Sequence, residues 1–208
     1  MEVITFALHP NRKLNIAYIR NIVNAPSRSS EINLKDNRFA LLDPRRLLHS
    51  SDYEQQASPK ALINQIGAAA NVALLRGKQR KNDNIAPVLD TIVCIAGTSN
   101  PNFALRDYGF GISYSGQATN DANDDDDGTT SDAILIGFDC DKGEMEEVIE
   151  KLGAIEAVLT FSSVPCSYSD KKKYVQDMIK SYKLTKEEVN AFGLEKSVIM
   201  RIATKFIN

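Results

Sequence analysis

The chain has 208 residues, enough for one domain with a substantial hydrophobic core. It is 43% hydrophobic and 25% charged and contains no Trp, the ordinary composition of a globular protein in water. The net charge of −2 excludes a global basic field, so any nucleic-acid binding has to come from local patches.

Three cysteines, odd in number and without metal-ligand spacing, argue against a disulfide framework and against a cysteine zinc site. They suit a reducing intracellular compartment. The first residues, MEVITFALHPNRK, lack a charged-then-apolar leader pattern, and no apolar run approaches eighteen residues. A soluble, non-secreted protein without a membrane segment is expected.

Residues 2–8 alternate as a strand, which His9-Pro10-Asn11 is expected to end. Leu14, Ala17, Tyr18, Ile22 and Val23 then recur at helical spacing up to the Ala25-Pro26 break. Residues 39–42 form a second strand stopped by Asp-Pro. Ser58 and Pro59 are N-cap and first-turn candidates for a long helix. Its apolar face runs through Leu62, Ile63, Ile66, Ala69, Ala70, Ala73 and Leu74. Small residues around Gly67 let a neighbour approach closely, and Arg76, Gly77 and Lys78 suit a helix C-terminus.

Residues 91–96 (TIVCIA), β-branched and apolar throughout, predict a strand covered on both faces. A turn, Gly97-Thr98-Ser99-Asn100, leads into a helix over 101–108 that Gly109 stops. Residues 110–115 begin a strand, and the polar, Asp-rich tract 117–131 reads as a disordered surface insertion. The aspartates at 124–127 lack the alternating ligand pattern of a calcium loop. Residues 133–138 are a buried strand, 144–152 a short helix and 155–161 a weaker strand. From 170 to 208 the chain is expected to be wholly helical, with Thr185 and Glu188 forming a capping box. The sum is a single α/β domain over 1–208: a mixed sheet flanked by helices, with a C-terminal helical layer.

No catalytic constellation emerges. His9 and His49 lie beside turns and are expected at the surface, and no nucleophile elbow, P-loop or dinucleotide fingerprint is present. No catalytic residue, metal ligand or cofactor is assigned. Gly97–Asn100 lies between a strand and a helix start, where an anion binds or a helix is simply capped. A basic exit, Arg76-Gly77-Lys78-Gln79-Arg80-Lys81, is either solvated surface or a grip on phosphates.

Three segments, 39–45 (FALLDPR), 96–109 (AGTSNPNFALRDYG) and 178–203 (MIKSYKLTKEEVNAFGLEKSVIMRIA), together resemble the TPRKB family. These are the small kinase-binding subunits of the KEOPS (EKC) complex. The similarity covers nearly the whole chain in order, apart from the insertion, and its specificity lies in the ordered set. The resemblance implies a non-catalytic protein of nucleus and cytoplasm that binds the complex's atypical kinase-ATPase, meets the other subunits indirectly, and binds tRNA, including its 3′ CCA end. The complex makes threonylcarbamoyl-adenosine in tRNA. Carried over, kinase binding falls on Met178, Tyr182, Leu194, Val198, Ile199, Ile202 and Phe206. Phosphate contacts fall on Arg76, Lys78, Arg80 and Lys81, with Lys60 and Arg106 as further candidates. The alternatives are a small acyl- or phosphoryl-transfer enzyme using the 97–100 turn, and a ligand-sensing α/β regulatory module.

Overall fold

The computed structural model describes residues 1–22, 38–48, 60–79, 86–109, 131–152, 154–158 and 171–205. Strands β1 (Glu2–Phe6) and β2 (His9–Ile22) form a hairpin, followed by β3 (Phe39–Leu42) and a 3-10 turn at Pro44–Arg46. Three helices come next: α1 (Lys60–Gln79), α2 (Pro87–Ala96) and α3 (Pro101–Tyr108). Strand β4 (Ser131–Phe138), helix α4 (Lys142–Lys151) and strand β5 (Ala154–Val158) precede the C-terminal helices α5 (Lys171–Tyr182), α6 (Lys186–Phe192) and α7 (Leu194–Lys205).

The sheet is built on β2. One edge pairs with β4, which carries β3 on its far side. The other edge is shared, with β1 along its first half and β5 along its second. All pairings among the described strands are antiparallel, where a mixed sheet was expected. The cause is local. With no helix between them, β1 and β2 close as a hairpin, while β4 and β5, joined through α4, run parallel to each other but lie on opposite edges of β2 and so do not pair.

The expected helix over 14–23 is therefore part of β2. Leu14, Ile16 and Tyr18 enter one core while Ala17, Ile19 and Ile22 enter another, the two-residue period of a strand buried on both faces. Because both faces are apolar, polar residues do not mark the alternation, and the same positions also fit helical spacing. His9-Pro10-Asn11, expected to end the first strand, opens the second instead.

The opposite exchange occurs at 91–96, expected as a strand and found inside α2. Pro87 occupies its first turn and Gly97 (φ 60°) its left-handed C-cap. Thr91 satisfies its hydroxyl by donating to the Pro87 carbonyl at 2.8 Å. Val88, Ile92, Val93 and Ile95 are buried, so tertiary packing overrides their β-preference.

Helices α1, α2, α3, α5, α6 and α7 cover the first sheet face. α1 supplies Leu62, Ile66, Ala69, Ala70 and Ala73 to that core, and α5 and α7 supply Tyr174, Met178, Val198 and Ile202. Each fully buried Leu or Ile contributes about 1.5–3 kcal/mol of transfer free energy. The close approach expected at α1 is made by β1: a Cβ on Gly67 would lie 3.0 Å from Ile4 Cδ1. The second face, with Phe39, Leu41 and Leu135, is covered by α4 through Met145, Val148 and Ile149. Asp141 starts α4 with a capping box to Glu144.

The strands over 39–42 and 133–138, the helix over 101–108 and the C-terminal helices stand as expected. The Ser58-Pro59 cap, His49, the strand over 110–115 and residues 117–130 of the polar tract lie outside the described residues, and Ser131, expected as the last residue of that tract, begins β4 instead. No described helix is long and apolar enough to cross a membrane.

Candidate functional site

Two surfaces gather the candidate residues. The first lies where α1 ends. Its C-terminal turn carries Arg76 and Lys78, cations suited to the negative end of the helix dipole. Lys78 is exposed and overlooks a cleft of about 390 Å³ that the β1–β2 turn and the start of α2 close from the other sides. His9 and Arg12 enter it from β2, and Asp90 from α2.

His9 differs from its expected surface role. It is only 6% exposed, and its Nε2 has no hydrogen-bond partner among the described residues. Burial lowers its pKa below the usual histidine value, and the nearby charges of Lys78 and Arg12 add to that. Arg12 is held by Asp139, its Nε 2.5 Å from a carboxylate oxygen. A turn at 9–11 would leave His9 at the surface; the strand that runs through these residues instead carries His9 and Arg12 into the cleft.

The six expected phosphate contacts do not form one patch. Lys60 and Lys78 lie at opposite ends of α1, about 27 Å apart at 1.5 Å per residue. Arg106 is on α3, stacked over the Phe103 ring at 4.8 Å and paired with Asp107 at 2.9 Å. The Arg76 guanidinium is 3.5 Å from the Cys94 sulfur, part-buried against α2. Arg80 and Lys81 lie outside the described residues. Lys78 opens onto the cleft beside His9, and Arg106 lines a separate, smaller depression with Arg46 and Asp177.

The second surface is the outer side of α6 and α7. Thr185 and Glu188 form the expected capping box, with Thr185 Oγ1 accepting from Glu188 N at 3.1 Å and Glu188 accepting from Thr185 N at 2.7 Å. Glu188 also accepts from Arg201 of α7 at 2.8 Å, which locks the two helices together. The Thr185 amide, more than any other group, holds the Glu188 carboxyl below its usual pKa.

Of the expected partner-binding residues, Met178, Tyr182, Val198 and Ile202 pack into the chain's own core. Tyr182 is 5% exposed; its hydroxyl donates to Ile95 O at 2.8 Å and accepts from Gln65 Nε2 at 2.6 Å. These four side chains are not surface. The apolar stripe of a helix faces the larger apolar body available, which here is α1. Leu194 and Ile199 remain partly exposed, and Phe206 lies outside the described residues. The apolar side chains open to a partner are Phe192, 51% exposed, and Met200, 49% exposed, which the residue pattern did not single out.

The turn at 97–100 is a helix cap. Asn100 Oδ1 accepts from Asn102 N at 2.9 Å, so the first turn of α3 is already served from within the chain. Lys205 of α7 lies over this turn, its Nζ 3.0 Å from where a Gly97 side chain would begin. Among the described residues, no group of three or more His, Cys, Asp and Glu side chains is placed to hold a metal ion. The architecture defines a class, an antiparallel α/β sheet protein with a C-terminal helical layer. No protein-family model matches the chain, and no curated protein matches it.

Proposed function

We propose that this chain is a non-catalytic subunit of a KEOPS/EKC-type complex that binds the atypical kinase-ATPase and tRNA, and so supports threonylcarbamoyl-adenosine formation. The observation that carries the reading is the ordered set of three segments resembling the TPRKB family. Their packing supports it. Asp43 N donates to Tyr108 O at 3.0 Å and Leu42 bridges to Gly109, which joins the first segment to the second. Arg46, Tyr108 and Met178 line a common depression, which brings in the third. Segments far apart in the chain thus form one structural unit.

The kinase-binding surface is the outer side of α6 and α7, through Phe192, Leu194, Ile199 and Met200, over a scaffold of Val198 and Ile202. The tRNA contact is the basic end of α1. Co-purification with an atypical kinase from cells tests the first contact. Capture by the native chain and its loss on Met200→Glu are expected, with the variant's circular dichroism unchanged. A native chain that captures no such kinase refutes the reading. For tRNA, replacing Lys78, Arg80 and Lys81 by Ala reduces affinity, and the slope of log K against log salt falls by about 0.7–0.9 per lost contact. An unchanged slope removes the basic exit from the tRNA interface.

A further inference from the structure

The cleft at the end of α1 has features that neither partner surface uses. His9 is almost wholly buried, yet its Nε2 has no partner among the described residues, although it lines a cavity large enough for a small molecule. A buried polar atom without a partner costs about 1–3 kcal/mol, so its retention points to an occupant. The first turn of α2 borders the same cavity through Pro87, which has no N–H, and Asp90, whose amide donates to Ala86 O. Lys78 stands across the opening with no ion-pair partner among the described residues.

Gly77 adds a separate argument. It lines the cleft within α1, and a Cβ there would meet no atom of the described residues within 4 Å. Packing among the described residues therefore gives no reason for a residue that weakens a helix relative to Ala. Space for a bound group gives one.

We propose that this cleft binds a phosphate monoester, with Lys78 and Arg12 as charge partners, His9 Nε2 as a hydrogen-bond donor and Gly77 leaving room for the ligand beside α1. The facing charges suit a dianion: Lys78 from α1, Arg12 and a protonated His9 from β2, set against Asp90 from α2, with Asp139 drawing on Arg12 from beyond β4. Pro10 and Leu74 offer an apolar wall, so a mononucleotide fits better than bare phosphate. In the empty cleft burial, and after it the charges of Lys78 and Arg12, disfavour the imidazolium; a bound dianion opposes that, so binding takes up a proton at His9. The inference does not rest on the tRNA reading, because a free mononucleotide satisfies it.

The test is a titration of the full chain at pH 7 with inorganic phosphate, adenosine monophosphate and adenosine, following the His9 imidazole nitrogens by NMR. Both phosphates are expected to move His9 toward the imidazolium signature, and adenosine is not. Tighter binding of the nucleotide identifies it as the source; equal binding identifies phosphate alone. Lys78→Gln weakens binding about tenfold or more, the loss expected for a charged hydrogen bond. Gly77→Ala raises the melting temperature of the free chain yet weakens binding, a pair of effects that a purely structural glycine would not give. No saturable response to either phosphate, or a response that Lys78→Gln and Gly77→Ala leave unchanged, overturns the proposal. Loss of tRNA binding on Lys78→Ala without phosphate binding would leave the tRNA contact standing and this site refuted.

Discussion

Replacing Tyr182 by Phe separates a core role from a partner-binding one. The hydroxyl is the middle of a buried relay. Gln65 Oε1 accepts from Leu48 N at 2.7 Å, Gln65 Nε2 donates to Tyr182 at 2.6 Å, and Tyr182 donates to Ile95 O at 2.8 Å. It links the chain after the 3-10 turn, α1, α5 and the end of α2. Burial and then the neighbouring Tyr108 raise the phenol's pKa well above its usual value, so it stays a donor at any working pH. Tyr182→Phe removes two bonds and leaves a Gln65 N–H and the Ile95 carbonyl without that partner. At about 1–2 kcal/mol for each of these two neutral buried groups, the loss is about 2–4 kcal/mol. Urea denaturation reads this directly, and the melting temperature falls by roughly 5 to 15 °C for a chain of this size. Gln65→Leu costs a similar amount, and the double variant is less damaging than the sum by about 1 kcal/mol, because one bond is shared. A Tyr182→Phe protein with unchanged stability but weaker partner capture would refute the placement of this residue in the core.

Four further outcomes follow from α6, α7 and the sheet. Thr185→Ala removes the capping box of α6 and lowers stability by about 1 kcal/mol in urea. Glu188 has a folded-state pKa below its unfolded value, so its stabilisation is present above pH 4.5 and is lost as pH falls through the lowered value. Glu188→Gln accordingly flattens the acid limb of a melting-temperature profile. Ile202→Ala, at a site 1% exposed, costs about 2–5 kcal/mol. Met200→Ala, two positions away and half exposed, changes stability by about 0.5 kcal/mol or less; the reverse order would mean that α7 is rotated. In β4, a Cβ at Gly137 would lie 2.7 Å from Cys140 Sγ and 2.8 Å from the Phe39 ring. Gly137→Ala therefore costs about 1–3 kcal/mol, part of which Phe39→Leu in the same chain restores, as chemical denaturation would show.

The elements legible in the sequence were those whose local signals agree with their packing. α1 has helical period and terminal cations, α3 has Asn100 followed by Pro101, and α6 has its capping box. β2 and α2 were exchanged because each is buried on all sides. A segment without a polar face has no marked period, and side-chain type then misleads. Pro87 and Gly97, ten residues apart, were the better guide to α2 than the β-branched residues between them. Of the side chains that the apolar pattern of α5 and α7 singles out, Met178, Tyr182, Val198 and Ile202 are core. The apolar stripe of α7 was legible; that α1 already covers Val198 and Ile202 depends on tertiary packing alone. The cleft depends on a hairpin that brings His9 and Arg12 to Lys78, a meeting that became readable only once residues 9–22 were seen to be a strand.

The central claim, that α6 and α7 dock a kinase-ATPase, is tested most directly by calorimetric titration of that kinase with the native chain and the Phe192→Glu, Met200→Glu double variant. Lys151→Glu on α4, across the sheet, serves as control. Saturable one-to-one binding is predicted for the native chain and the control, and no measurable heat for the double variant at unchanged fold. Equal binding by all three would contradict the account.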